Sequence, residues 1–420
     1  MRSWAEPVVP RLPGLGDVPS LHDTSSGDVH PTEVVGSRAG LYVCGITPYD
    51  ATHLGHASTY LAFDTLLRVW LDAGVEVSYA QNTTDVDDPL LERASATGVD
   101  WRELADEQTD LFRSDMQHLG VVPPSHYVAV TEVVTDVADA VARLLDQGLA
   151  YRVATPDSGE GDDVYFDVRA AERDTPWHLG LESRYDAATM ARFFAERGGD
   201  PERAGKRDPL DPLLWRSARD DEPSWPSSVG AGRPGWHIEC TVIAQQHLDV
   251  PITVNGGGSD LVFPHHEMST AHGTALTGLP YAVHHTHTGM VAYQGEKMSK
   301  SLGNLVKVSE LVAAGRDPRA VRLAILAHHY RSDWEWFETE LTHAEARLAR
   351  WRDWAASSTG GAVPTPAPTS LVVGLRTTLA ADLDTPSALD AVDAVVASGE
   401  DVTEVDVDAV QALLGVDLRA

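Results

Sequence analysis

Two histidines, two cysteines and two lysines carry most of the chemistry open to this chain. Residues Cys44 to His56 read Cys-Gly-Ile-Thr-Pro-Tyr-Asp-Ala-Thr-His-Leu-Gly-His. Before them, Leu41-Tyr42-Val43 is a short apolar, β-prone run with the pattern of a buried strand. From Gly55 a helix pattern begins, with Leu61, Leu66, Trp70 and Leu71 on one stripe and Gly74 as the stop. The turn between them offers backbone N–H groups and a positive helix end, a natural seat for phosphate. His53 and His56 sit at its helix end. Cys44 stands at its strand end, where a thiolate beside a phosphate seat implies a metal ligand next to a nucleotide.

A second run, Lys297-Met298-Ser299-Lys300-Ser301, lies in a stretch punctuated by Gly295 and Gly303. Alone, such a pentad reads as a solvated loop. Following the histidine turn in the same chain, its lysines suit the neutralisation of a triphosphate as charge moves onto leaving pyrophosphate. In both runs the chain resembles the class I aminoacyl-tRNA synthetases, with their His-Ile-Gly-His and Lys-Met-Ser-Lys-Ser signatures. The first is matched from Ile46 to His56 with Leu54 for isoleucine, the second from Lys297 to Ser301 without change. The resemblance implies ATP-driven activation of a carboxylate, ATP as substrate with Mg²⁺, and His53, His56, Lys297 and Lys300 as catalytic residues.

The cysteines narrow the substrate. Cys240 closes Gly235-Trp236-His237-Ile238-Glu239-Cys240, read here as a short strand, and Phe263-Pro264-His265-His266-Glu267 follows. Two distant cysteines can be small buried hydrophobes; a disulfide is disfavoured in a chain without a secretory leader. Two thiolates with an imidazole suit Zn²⁺ with one position open to an exogenous thiol. These segments resemble cysteinyl-tRNA synthetase, which implies one Zn²⁺ held by Cys44, Cys240 and His265. Ser269 stands where that family has a fourth, glutamate ligand. The same resemblance implies cysteine and adenylate contacts from Cys44, Gly45, Ile46, Thr47 and Thr59. It extends them to Asn82, Thr83 and Thr84 at a strand end, to Trp236, to Gly258, Ser259 and Asp260, and to Val291.

Other segments depart from the synthetases. Asp85 to Asp88 is followed by Pro89 rather than lysine, and Glu196-Arg197-Gly198-Gly199-Asp200-Pro201 has no synthetase counterpart. Asp87 and Asp88 also read as helix caps, and 196–201 as a Gly-rich turn. With the opening residues and the form of 44–50, they resemble the mycothiol ligases, which join cysteine to the amine of glucosaminyl-inositol through a cysteinyl adenylate. Net charge agrees: it is −31, with no basic stripe, whereas a protein gripping tRNA phosphates wants a positive face. Small-molecule partners, no nucleic acid, no membrane span, a cytoplasmic location and a monomer are expected. A cysteinyl-tRNA synthetase and a non-catalytic synthetase-like binding protein are the alternatives.

The resemblance implies an α/β fold: a Rossmann-like parallel sheet of the class I synthetase type, an inserted connective domain and a C-terminal helical bundle. The expected division is an N-terminal extension (1–39), the first catalytic half (40–125), the insertion (126–232) and the second half with the lysine loop (233–305). A helical stem (306–356) and the bundle (370–420) complete it. A Ser/Thr/Gly/Pro-rich linker at 357–369 marks the bundle as a separate unit. Its end at Ala420 implies that no further RNA-reading region follows. Strands are expected at Val75–Tyr79, Trp236–Cys240, Ile252–Asn255 and Ala282–Thr288, the last placing two of His284, His285 and His287 on one face.

Overall fold

The computed structural model describes residues 1–49, 52–159, 161–298, 303–357, 367–399 and 401–420. An antiparallel hairpin of β1 (Ser20–His22) and β2 (Val29–Pro31) precedes the first catalytic half. That half runs β3 (Arg38–Val43), α1 (Leu54–Asp72), β4 (Glu76–Thr83), α2 (Asp88–Thr97), α3 (Trp101–His118) and β5 (His126–Ala129). Next come α4 (Val134–Asp146) and an antiparallel sheet of β6 (Ala150–Val153), β7 (Asp163–Phe166), β8 (Leu213–Ser217) and β9 (Gly232–Pro234). Between β7 and β8 lie α5 (Val168–Asp174) and α6 (Ala187–Glu196). The chain returns through α7 (Trp236–His247), β10 (Ile252–Gly258), α8 (Glu267–Thr277) and β11 (Ala282–Thr288). It then forms β12 (Val291–Tyr293), β13 (Glu296–Lys297), α9 (Val308–Ala313), α10 (Pro318–Leu326), β14 (Trp334–Glu335) and α11 (Glu338–Ala356). The last helices are α12 (Ser370–Ala380), α13 (Thr385–Ser398) and α14 (Glu404–Leu414).

The catalytic sheet has the order β11-β10-β3-β4-β5, with every pair parallel. Leu41 and Val43 pack toward α1 while Tyr42 packs on the opposite face, as a strand buried on both sides requires. Three sequence expectations change here. β5, placed by sequence in the insertion, pairs with β4 and belongs to the catalytic sheet. Trp236–Cys240 is the first turn of α7 and not a strand. Its residues His237 to Ala244 are all buried, so the helix lacks the polar face that reveals a 3.6-residue period, and five residues of mixed polarity mimic alternation. On α1, Leu61, Leu66 and Trp70 are fully buried, each contributing roughly 1.5–3 kcal/mol. Leu71 is 40% exposed, because one residue more turns it about 100° off the stripe.

The bundle is not the separate unit the linker suggested. Leu375, Leu389 and Val410 from α12, α13 and α14 share one hydrophobic core with Leu61 and Trp70 of α1. Buried charges join them as well. Arg68 of α1 donates to the carbonyls of Gln411 (3.0 Å) and Ala412 (3.2 Å), and Arg322 of α10 to that of Leu414 (2.6 Å). Both guanidiniums meet Asp64. Burial alone would raise the Asp64 carboxyl, but the two arginines and the Val122 N–H hold it below its usual value. Arginines at the carbonyl end of α14 also oppose its dipole. Among the described residues, no helix is long and apolar enough to cross a membrane.

Candidate active site and metal centre

The histidine turn is built on close backbone contact. Cys44 continues from β3, its N–H donating to the Gly256 carbonyl at 3.1 Å, and the Gly45 N–H donates to Asn82 Oδ1 at 2.7 Å. A Cβ on residue 45 would lie 1.6 Å from the Asn82 carbonyl oxygen, so only glycine fits. Asn82 Oδ1 also accepts from the Tyr42 hydroxyl at 3.1 Å, and its Nδ2 donates to Thr84 Oγ1 at 3.1 Å. The Thr84 hydroxyl donates to Glu239, and its N–H to the Ile46 carbonyl at 3.0 Å. Asn82 and Thr84, expected at the adenylate, thus have side chains that shape the turn, while Thr83 faces Tyr127. Gly45→Ala is expected to lower stability by about 1–3 kcal/mol and to cut activity, as thermal melting alongside an exchange assay would show.

At the helix end, His53 caps α1, its Nδ1 accepting the Gly55 N–H at 3.1 Å, and its ring lies 3.9 Å from that of His56. The Leu54 N–H donates to the Val306 carbonyl (2.9 Å) and the Val308 N–H to that of Thr52 (3.4 Å), with His53 and Lys307 bridged antiparallel. A short seam therefore joins the first signature to the arm that follows the second. Lys297 lies in β13, whose partner β12 starts at the buried Val291. Ser299, Lys300 and Ser301, like Asp50 and Ala51 of the first signature, lie outside the described residues. Thr59 Oγ1 meets Thr288 Oγ1 at 2.9 Å, tying α1 to the end of β11. A Cβ at Gly256 would come 2.3 Å from the Phe63 ring, so this glycine lets β10 approach α1. Gly258 ends β10, Ser259 and Asp260 open the turn after it, and Ile46 and Thr47 lie in the turn after β3.

Both cysteines are buried free thiols on the face of the sheet covered by α7 and α8. Burial raises the Cys240 thiol well above its usual range, with the adjacent Cys44 adding to the effect. Ligand atoms of Cys44, His265 and His266 lie within 4.8 Å of one another, and Cys44 Sγ is 3.1 Å from His266 Nε2. His265 Nδ1 is 3.1 Å from His237 Nδ1, and the half-buried Trp236 ring is 4.4 Å from that of His265. Burial holds His265 well below its ordinary value and His237 at about 3, leaving neutral rings with a lone pair to offer. Two thiols and imidazoles in a dry pocket fit Zn²⁺. Ser269 donates to the His237 carbonyl at 3.2 Å instead of presenting a ligand.

His266 was the residue the sequence offered but did not assign. It sits between Cys44 and His287, whose Nε2 is 2.7 Å from His266 Nδ1. His287 Nδ1 in turn meets Thr24 Oγ1 of the β1–β2 hairpin at 2.7 Å. His285 and His287 share this face, while His284 lies against His30 with the rings 4.1 Å apart. Glu182 had no sequence signal: it lies inside the insertion, yet its Oε1 is 2.9 Å from His285 Nδ1. Glu267 accepts the Gly180 and Ser183 N–H groups at 3.1 and 2.8 Å. In the 196–201 run, Arg197 donates to the carbonyls of Asp260 and Phe263, each at 2.6 Å, fixing the turn that leads into His265.

Comparison with known proteins agrees with this geometry. Residues 31–346 match the family described as tRNA synthetases class I (C) catalytic domain. Methionyl-tRNA synthetase of Mycobacterium tuberculosis, solved with methionyl-adenylate, has a TM-score of 0.60 at 16% identity, covering 90% of this chain and 88% of that one. A LeuRS–tRNA–LeuAMS complex from Agrobacterium radiobacter K84 gives 0.61 at 12% identity, covering 91% and 83%. These likenesses establish the fold. Much nearer is the L-cysteine:1D-myo-inositol 2-amino-2-deoxy-alpha-D-glucopyranoside ligase of Clavibacter michiganensis, 63% identical over 100% of this chain and 99% of that protein. The protein of the same name from Micrococcus luteus is 58% identical over the full length of both. The chain belongs to the class I tRNA synthetase (C) catalytic-domain family and, within it, to the L-cysteine:1D-myo-inositol 2-amino-2-deoxy-alpha-D-glucopyranoside ligases.

Proposed function

We infer that the protein is an AMP-forming ligase that joins L-cysteine to the amine of glucosaminyl-inositol, the cysteine-adding reaction of mycothiol biosynthesis. One observation carries the reading beyond the family: the cysteine–histidine cluster lies directly behind the turn that ends in His53 and His56. Cys44, Cys240 and His265 hold Zn²⁺ in this reading, with His266 against Cys44. When bound, the zinc supplies a soft Lewis acid that favours a substrate thiolate over a hydroxyl. Trp236 bounds the cysteine side of the pocket.

Two half-reactions follow. The cysteine carboxylate attacks the α-phosphorus of ATP in line, and pyrophosphate leaves with its Mg²⁺. His53 and His56, positioned by the cap of α1 and the seam to Val306, meet charge on the departing phosphates, as do Lys297 and Lys300. The acceptor amine then attacks the activated carbonyl, AMP leaves, and an amide forms as the nitrogen loses its proton. A sugar amine suits this step, because it gives up its proton more readily than a lysine side chain. The net charge of −31 favours small substrates over nucleic acid. The protein acts as a cytoplasmic monomer in this reading.

The test is product analysis with ATP, cysteine and glucosaminyl-inositol, run beside tRNA at low salt, where phosphate-driven binding is strongest. The expected result is AMP release that depends on both cysteine and the sugar amine, a cysteinyl amide by mass spectrometry, and unchanged tRNA. Cysteine on tRNA with none on the sugar amine would instead make the protein a cysteinyl-tRNA synthetase.

A further inference from the structure

Beneath the seam between the two signatures lies a carboxyl without a partner. Asp115, on the inner side of α3, is 1% exposed, and neither of its oxygens has a hydrogen bond. The polar group that acts on it is the Thr52 hydroxyl, equally buried and outside hydrogen-bond geometry. Thr52 immediately precedes His53, and its carbonyl receives the Val308 N–H. Helix α3 packs against α9, which starts at Val308. Asp115 therefore stands under the point where the histidine turn meets the arm returning from the lysine loop. Two unpaired polar groups facing each other in a core are costly, and such features ask for an explanation beyond packing.

We propose that Asp115 is a positioning residue for cysteine adenylation: as a neutral acid beside the unpaired Thr52 hydroxyl, it holds the turn that carries His53 against the returning arm. The role rests on the adenylate-forming reading above. Burial pushes the Asp115 carboxyl up to about 7, and the Thr52 hydroxyl offsets this only in part. The charged or titratable groups on the surrounding elements are His53 on the turn, and Lys307 and Glu310 on the arm and α9, which pair at 3.1 Å. On α3 itself, Arg113 pairs with Asp110, and His118 lies 3.5 Å from Ser114 Oγ. The folded value lies above the ordinary 3.8, so the hold is complete below about 4 and is lost as pH rises through about 7.

The experiment is cysteine-dependent ATP–pyrophosphate exchange across pH, with metal content measured on the same samples. In the parent, kcat is expected to fall as pH rises through about 7. Asp115→Asn, whose amide imitates the neutral acid, should keep the low-pH rate and lack that ionisation. Asp115→Ala should lose on the order of tenfold in kcat, with cysteine KM and metal content within about twofold of the parent. Thr52→Val should give the same loss, and the two should not add when combined. Asp115→Ala exchanging within about twofold of the parent would overturn the proposal. So would a loss carried by cysteine KM or by metal, or an Asp115→Asn profile with the parent's ionisation. If the alanine variant fails to fold, the Asn profile and Thr52→Val decide. A parent with no exchange at all would refute the adenylate-forming reading itself, a result distinguishable from all of these.

Discussion

Cys44→Ala and Cys240→Ala should each strip the protein of zinc and slow cysteine-dependent pyrophosphate exchange on the order of 10³-fold, the scale on which precise orientation of a reactant operates. The physical reason is that Cys44 lies against His265 and His266 in a dry pocket, with the buried Cys240 thiol beside it, where nothing replaces a lost sulfur ligand. Removing one small buried sulfur is itself mild packing damage, about 1 kcal/mol, so the variants should remain folded. Elemental analysis of purified parent and variants, paired with exchange rates, reads both halves of the expectation. Full activity in a metal-free parent would sink it.

Removal of either Lys297 or Lys300 should cost roughly 10²-fold in the same exchange, ~3 kcal/mol, the scale of losing one electrostatic stabiliser. Zinc content and cysteine affinity should not change, because in the proposed mechanism the lysines act on the triphosphate alone. The seam between Leu54 and Val306 ties the arm that follows the loop to the histidine turn. An exchange rate within about twofold of the parent would remove the loop from the mechanism. The contrast between the two sets is the diagnostic: cysteine variants lose metal and rate together, lysine variants lose rate alone.

Much of this site was legible because its backbone constraints leave marks in the sequence. Gly45 is forced by the Asn82 carbonyl and Gly74 by a φ of +76° at the end of α1. Strand Ala282–Thr288 was bounded correctly, and it places His285 and His287 on one face as expected. What failed was local inference inside a dry core. Helix α7 is buried around its leading turns, so Trp236 to Cys240 gave no helical period. Strand β5 is four residues long and follows two helices, too short to declare its partner. Glu182 was invisible, since a buried ion pair with His285 depends on a chain crossing that no local pattern records. His266 was in view but unassigned: adjacent histidines do not say which ring faces the thiol, and the fold places it on Cys44.

The common core of α1 with α12, α13 and α14 changes what the stretch at 357–369 means. A covalent tether and a thermodynamic boundary are different things. Cutting the main chain there would interrupt its path but leave untouched the apolar contacts of Leu375 and Val410 and the arginine clasp on the carbonyl end of α14. The final helices are thus not cargo hung on an enzyme, free to be exchanged for another recognition module. They are masonry behind the helix that bears His53 and His56, and any graft that replaces them must first rebuild that wall.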